Sequence, residues 1–371
     1  MPTHYDVAVI GGGPAGLASA IETTNLGFRT VVLEARHPPI DKACGEGLMP
    51  DAIKRLARIG ISIGPDERGP FQGIEFSDDC SRVAAQFPCG DGWGVRRTTL
   101  HRLLAARAEA IGVNLLWGTP VRTIEAHDVI CRKLTFQARW IIGADGLHSN
   151  VRRWAGLDRY LWSRERVAFR QHFQIRPFSP YVQVMWGEAG QCYVTPVGPA
   201  EMSIAVIANT RNVGYEKLLS CFPTINGRLP ASCATGTMRG SLTASRRLRR
   251  VSTGHFALVG DASGSVDAIT GEGICLALQQ AEAIGTAIQA GDLGTYGGKH
   301  AAIMRRPALM ASILCALSRN HGLRSRAIRA LSDDRQLFER MLAFHVGATG
   351  FRSIGLFASL RLGTGLLRPV T

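Results

Sequence analysis

Tyr5-Asp6-Val7-Ala8-Val9-Ile10-Gly11-Gly12-Gly13-Pro14-Ala15-Gly16 is the stretch whose reading decides the fold. An apolar run with strand character passes directly into the spacing G-x-G-x-x-G. Pro14–Asn25 then has helical periodicity and Arg29–Leu33 reads as a second strand, giving a β-α-β opening. The glycines differ in what they make physically possible. Gly11 permits the tight turn, Gly13 lets the backbone approach a pyrophosphate, and Gly16 lets helix and strand pack closely. With Pro14 and Ala15 they present the helix N-terminus, whose amides and dipole receive an anion. Glu34 ends the second strand 18 residues after Gly16, where a carboxylate accepts from an adenosine ribose. Ala35 and Arg36 follow as further cofactor-side candidates, and Arg36 either touches the adenine side or is solvated. The motif alone does not separate FAD from NAD.

Outward from this unit the chain alternates in character. Helices are expected at Leu48–Ile59, Thr98–Ile111 and Gly271–Ala290. Strands are expected at Val167–Ile175, Val182–Trp186, Cys192–Pro196 and Met202–Ala208. The fold class is therefore α/β: a Rossmann-like dinucleotide domain with an inserted mixed β-sheet substrate domain and C-terminal helices. The expected division is 1–65, 95–160 and 250–298 for the nucleotide domain, 66–94 and 161–249 for the sheet domain, and 299–371 for the helical segment.

Two further strand ends carry acids. Trp140–Asp145 runs into Gly146, with Ser149 and Arg152 beyond. Phe256–Val259 runs into Gly260-Asp261 and then Ile269-Thr270-Gly271-Glu272-Gly273-Ile274. This pattern resembles the FAD-binding fold of the para-hydroxybenzoate hydroxylase and geranylgeranyl reductase superfamily. The resemblance implies that Asp261, beside Gly260, meets the flavin ribityl chain and that Asp145 lies near the pyrophosphate. It implies too that Gly271, Gly273 and Ile274 point at the isoalloxazine edge, where a helix N-terminus stabilises negative charge. Lys42-Ala43-Cys44-Gly45-Glu46-Gly47-Leu48 is similar to the Cys-Gly loop of geranylgeranyl reductases, and Arg97 to the Arg before a flavin-side helix. Tyr193-Val194-Thr195-Pro196 resembles that family's substrate strand without its usual central Trp. The resemblance covers about residues 5–300.

Each singled-out residue also has a plainer reading. Cys44 is either a reactive group or small-residue packing, and Glu46 either a proton donor or a solvated loop acid. His101 is read as the polar face of its helix. Trp186, Tyr193, Thr195 and Pro196 line a substrate pocket or sit in the core. Arg246, Arg247, Arg249 and Arg250 form a solvated turn or attract nicotinamide phosphates.

Composition narrows the function. The 371 residues are 46% hydrophobic and 19% charged, which is globular. The longest apolar run, Pro307–Ser318, is short of a bilayer span, and no signal peptide is read, so a cytoplasmic protein is expected. Nine scattered cysteines without a C-x-x-C pair fit reduced thiols and argue against a zinc site; no metal is expected. Of the net charge of +14, Lys299–Thr371 carries +9, from Lys299 and eleven Arg against Asp333, Asp334 and Glu339. Nucleic acid is not the expected partner, because no binding module or aromatic interleaving accompanies the charge. An anionic cofactor and an anionic membrane surface are the better candidates for a segment with apolar patches at Leu309–Leu317 and Gly355–Leu360. The plainer reading, which stands ahead of the membrane, is that these patches pack on the nucleotide domain while the Arg residues are solvated. A second dinucleotide motif and a redox Cys pair are absent, which excludes a two-dinucleotide disulfide reductase. The Trp-x-Trp motif of flavin halogenases is absent too.

The expected activity is FAD-dependent oxidation–reduction with NAD(P)H as electron donor. Hydroxylation of an apolar phenolic or lipid-like substrate with O2 stands first. Reduction of polyprenyl double bonds stands second, and an accessory flavoprotein third. The motifs leave oligomeric state open.

Overall fold

The computed structural model describes residues 3–210 and 212–350. Its first sheet has the order 252–253, 256–258, 135–143, 3–10, 30–33, 114–116, parallel throughout except for the antiparallel edge strand 252–253, with the antiparallel hairpin 121–125 and 128–131 beside 135–143. Strand Thr3–Ile10 lies at the centre: Val7 is level with Trp140 on one side and Thr30 on the other. Helices Pro14–Asn25, Arg97–Ala110 and Gly273–Gln289 pack around this sheet. Burial on both faces explains the apolar runs Val7–Ile10, Val31–Leu33 and Trp140–Ile142 at its centre. Val7, Ala8, Ile141, Ala257 and Leu258 have no exposed surface.

The second sheet has seven strands, ordered 234–248, 160–173, 201–208, 190–198, 181–186, 73–77, 82–86. Both sequence segments assigned to a substrate domain contribute to it, and 73–77 runs parallel to 181–186. One strand was not expected: the chain from Ala234 to Leu248 is extended, so Arg246 and Arg247 lie on a strand rather than in a turn. Arg246 is buried, paired with Glu165 at 2.5 Å and donating to the Leu147 carbonyl at 2.7 Å, whereas Arg249 and Arg250 are exposed. A small sheet of 47–48, 92–94 and 69–71 joins the two halves. Because Gly47–Leu48 is a strand, the helix expected from Leu48 begins at Pro50.

Three C-terminal helices follow, Gly294–Arg319, His321–Asp333 and Arg335–His345. The Asn320 and Asp334 side chains cap the second and third by accepting from Leu323 N at 2.9 Å and Leu337 N at 3.2 Å. These helices share a core with the second sheet: Leu314, Ile328, Leu331 and Phe338 pack with Val182, Val184 and Ile207. Helix Gly294–Arg319 is long and apolar enough to cross a membrane by length and composition, with mean hydropathy 1.3 over an 18-residue window, although its longest uncharged run is only Pro307–Ser318. Its buried side, through Tyr296, Met310 and Leu314, packs within the protein. The run Gly355–Leu360 lies outside the described residues.

Candidate functional site

One cavity of about 650 Å³ runs between the two sheets, within the range of cofactor and ligand sites. Its polar end is made from the three motifs. Gly11 has φ +111, and a Cβ there would stand 2.4 Å from the Ala144 carbonyl oxygen. Gly16 does not line the cavity; a Cβ on it would lie 1.9 Å from the Gly11 oxygen, so it serves packing. Gly13 faces open space: a Cβ would meet nothing within 4 Å. It is the N-cap of Pro14–Asn25 and has no side-chain cap, so the first-turn amides remain for an anion. Beside them, Glu34 accepts from the amides of Gly12 at 2.7 Å and Arg36 at 2.9 Å, which fixes its carboxylate at the rim. Ala15, Ala35 and Arg36 line the same end.

Asp261 lines the cavity and is bonded to Lys42 at 2.9 Å. Burial alone would raise its carboxyl, but the Lys42 ammonium, with Arg97 and Arg246 further off, brings it below the usual carboxylate range. Gly260, at φ +59, is pinned by its amide donating to Gln280 Oε1 at 2.7 Å. Gly271 is left-handed at φ +68, and Gly273 and Ile274 begin their helix against the cavity. Asp145 also lines the cavity, yet its Oδ2 accepts from Asn150 N at 2.7 Å and Val151 N at 3.1 Å; it caps the following helix. Arg152 binds this loop to the Asp261 turn, donating to the carbonyls of Leu147 and Ala262, both at 3.1 Å.

Glu46 is not a solvated loop acid. It is 1% exposed, sits at φ +60, and accepts from Arg97 N at 2.8 Å and His172 Nε2 at 2.6 Å. The donor assignment follows from Arg170, which can only donate: His172 Nδ1, 3.0 Å from Arg170, must accept, so Nε2 carries the hydrogen. Arg170 continues the chain to Asp41 at 2.5 Å. Cys44 and Gly45 line the cavity, and Cys44 Sγ accepts from Glu46 N at 3.4 Å. His101 corrects another expectation. It is buried beneath the glycine loop rather than on a polar face, with Nε2 donating to the Gly12 carbonyl at 2.9 Å. Burial pushes this imidazole below its ordinary range, against the pull of that carbonyl.

The other end is apolar, with Phe71, Ile74, Val184, Ile207, Leu314 and Phe338 among its walls. Tyr193 and Thr195 line it, and Tyr193 donates to the Ile269 carbonyl at 2.9 Å. Trp186 and Pro196 do not. Trp186 is buried edge-on against Phe76 at 5.5 Å, and Pro196 packs so tightly on Gly94 that a Cβ there would lie 1.7 Å from its carbonyl oxygen. His345, from the last helix, was not anticipated; it lines the cavity and its Nε2 donates to the Thr270 carbonyl at 3.1 Å.

These residues fit a bound FAD. The open face of Gly13, the uncapped helix N-terminus and the buried Arg97 Nε, which has no hydrogen-bond partner, all lie on one cavity. A family model described as an FAD binding domain matches residues 4–295.

The chain belongs to the FAD-binding domain family.

It is an FAD-dependent oxidoreductase. Menaquinone reductase of Mycolicibacterium smegmatis is 29% identical over 337 residues, covering 80% of this chain and 78% of its own. Digeranylgeranylglycerophospholipid reductase of Methanothrix thermoacetophila is 27% identical over 326 residues, covering 79% and 80%. Among solved structures, a flavoprotein/dehydrogenase from Cytophaga hutchinsonii superposes with a TM-score of 0.80 at 18% identity, over 97% of this chain and 99% of that one. The family match ends at the start of the C-terminal helices, which nevertheless supply Met310, Leu314, Phe338 and His345 to the cavity.

Proposed function

We propose that this oxidoreductase reduces isolated carbon–carbon double bonds in the isoprenoid chain of a lipid, with electrons from NAD(P)H. The observation that carries the reading is the cavity itself: a polar nucleotide end opens into an apolar arm walled by the second sheet and the C-terminal helices. The two curated relatives, named as reductases of menaquinone and of digeranylgeranylglycerophospholipid, support it. FAD, when bound, supplies the hydride chemistry. The protein's own residues bind and orient. Glu34 and the Gly11–Gly16 turn hold the dinucleotide, Asp261 with Lys42 meets its sugar chain, and the apolar arm excludes water from the double bond. Of the two acids beside the site, Glu46 has both carboxyl oxygens engaged, by Arg97 N and His172 Nε2, whereas Cys44 lines the cavity. Cys44 is therefore the residue proposed to deliver the proton.

Hydroxylation with O2 is the second reading. It uses the same polar end and is favoured by the missing Trp between Tyr193 and Pro196. Anaerobic incubation of FAD-loaded protein with NAD(P)H and a geranylgeranyl lipid separates the two. A product carrying two added hydrogens supports reduction. A product that forms only in air and carries one added oxygen supports hydroxylation and overturns the first reading.

A further inference from the structure

The end of the apolar arm can be located from strand register. Strands Gly73–Ser77 and Tyr181–Trp186 run side by side, pairing Ile74 with Val182 and Phe76 with Val184. Alternate residues of a strand share a face, so Val182, Val184 and Trp186 form three successive steps on one side. The first two steps, with Ile74 and Phe76, line the cavity, and Trp186 does not. Phe76 stands between, edge-on to Trp186 at 5.5 Å. Phe338 meets Phe76 from the opposite wall at 5.1 Å. The cavity therefore ends at the Phe76–Phe338 pair.

The helix that carries Phe338 also runs back to the flavin side. Phe338, Met341, Leu342 and His345 fall on one helical face, and all four line the cavity. His345 ends that face on the Thr270 carbonyl, in the loop that begins helix Gly273–Gln289. Seven residues at 1.5 Å rise put about 10 Å between that loop and the floor. With carbon–carbon bonds of about 1.5 Å, this is room for about eight chain carbons, or about two isoprene units. A floor of aromatic carbon admits a hydrocarbon end and rejects a polar head group.

We propose that Phe76 and Phe338 are specificity-determining residues that stop the free end of the lipid chain about two isoprene units beyond the flavin-side loop, and so select which double bond is presented. This rests on the isoprenoid reading above. The test is binding rather than turnover. FAD-loaded protein is titrated with saturated primary alcohols of increasing length, and binding is read from perturbation of the flavin absorbance. In the unmodified protein affinity should rise about fourfold per methylene until the arm is filled, then level off. Phe338→Ala should move that break to longer chains and Phe338→Trp to shorter ones, and Phe338→Leu serves if the alanine variant does not fold. A break that stays in place in the variants, or an affinity that never levels off, overturns the floor while leaving the isoprenoid reading standing. A protein that binds no alcohol of any length overturns both.

Discussion

Gly13 and Gly16 are three residues apart in one motif, and the space around them assigns them different work. A methyl on Gly16 would drive into the Gly11 carbonyl oxygen, at 1.9 Å, and both groups belong to backbone that cannot swing away. A methyl on Gly13 would meet nothing within 4 Å, and the local φ of −74° suits any residue. Gly16→Ala should therefore destabilise the FAD-free protein by about 1–3 kcal/mol, as overpacking does. Gly13→Ala should leave the FAD-free unfolding midpoint in place and weaken FAD at least about tenfold, or about 1.4 kcal/mol, because the methyl occupies the approach of the pyrophosphate. Urea unfolding without cofactor and fluorescence titration with FAD measure the two effects separately. Equal behaviour of the two variants in both assays would remove the assignment of Gly13 to the phosphates.

Helix Gly294–Arg319 supplies a pH dependence. His300 is 8% exposed, with Nε2 2.9 Å from Ser263 Oγ and Tyr296 and Gln280 beside it. Burial lowers the imidazole from 6.5 to about 4. Between those values the unfolded chain takes up a proton that the native helix refuses. The stabilisation is therefore complete above pH 6.5, is lost as pH falls toward 4, and stays level below that. A gap of this size is worth up to about 3 kcal/mol. His300→Gln removes the titrating group, so the difference in stability between the two proteins should change across pH 6.5 to 4 and be constant elsewhere; parallel curves would count against it. Elements like this helix show what was legible in the sequence. Val7–Ile10 and Phe256–Leu258 read clearly because burial in the sheet leaves only apolar residues there. Ala234–Leu248 did not, because it is an edge strand whose outer part is mostly exposed and leaves no alternation to find. The glycine motifs were legible because local backbone geometry demands them. His172 and His345 were not: their partners Glu46 and Thr270 lie 126 and 75 residues away, and only folding brings them together.

At the scale of the whole molecule, a lipid substrate has to leave a bilayer and reach a cavity walled by the C-terminal helices. The helix that serves the cavity also faces outward. Met310 and Leu314 line the arm, while their neighbours Leu309 and Ile313, 41% and 39% exposed, face outward, between exposed Arg305 and Arg319 in sequence. The basic residues of this region are not uniformly solvated: Arg324 is buried and Arg306 pairs with Glu272 at 3.2 Å. The charge left for an anionic surface is thus smaller than the raw +9, and the exposed apolar pair has to contribute. Basic residues near such a surface gain about 1 kcal/mol each, screened over a Debye length of about 10 Å at 0.1 M salt. The isoprenoid proposal therefore carries an expected peripheral attachment, through this face, to anionic lipid. Co-sedimentation with vesicles should show binding to anionic but not neutral ones, weakened by salt. Ile313→Glu, exposed and outside the cavity lining, should reduce it without altering FAD affinity. Absence of binding to either vesicle type at low salt would rule out attachment through this helix, and the substrate would then have to be delivered by a carrier.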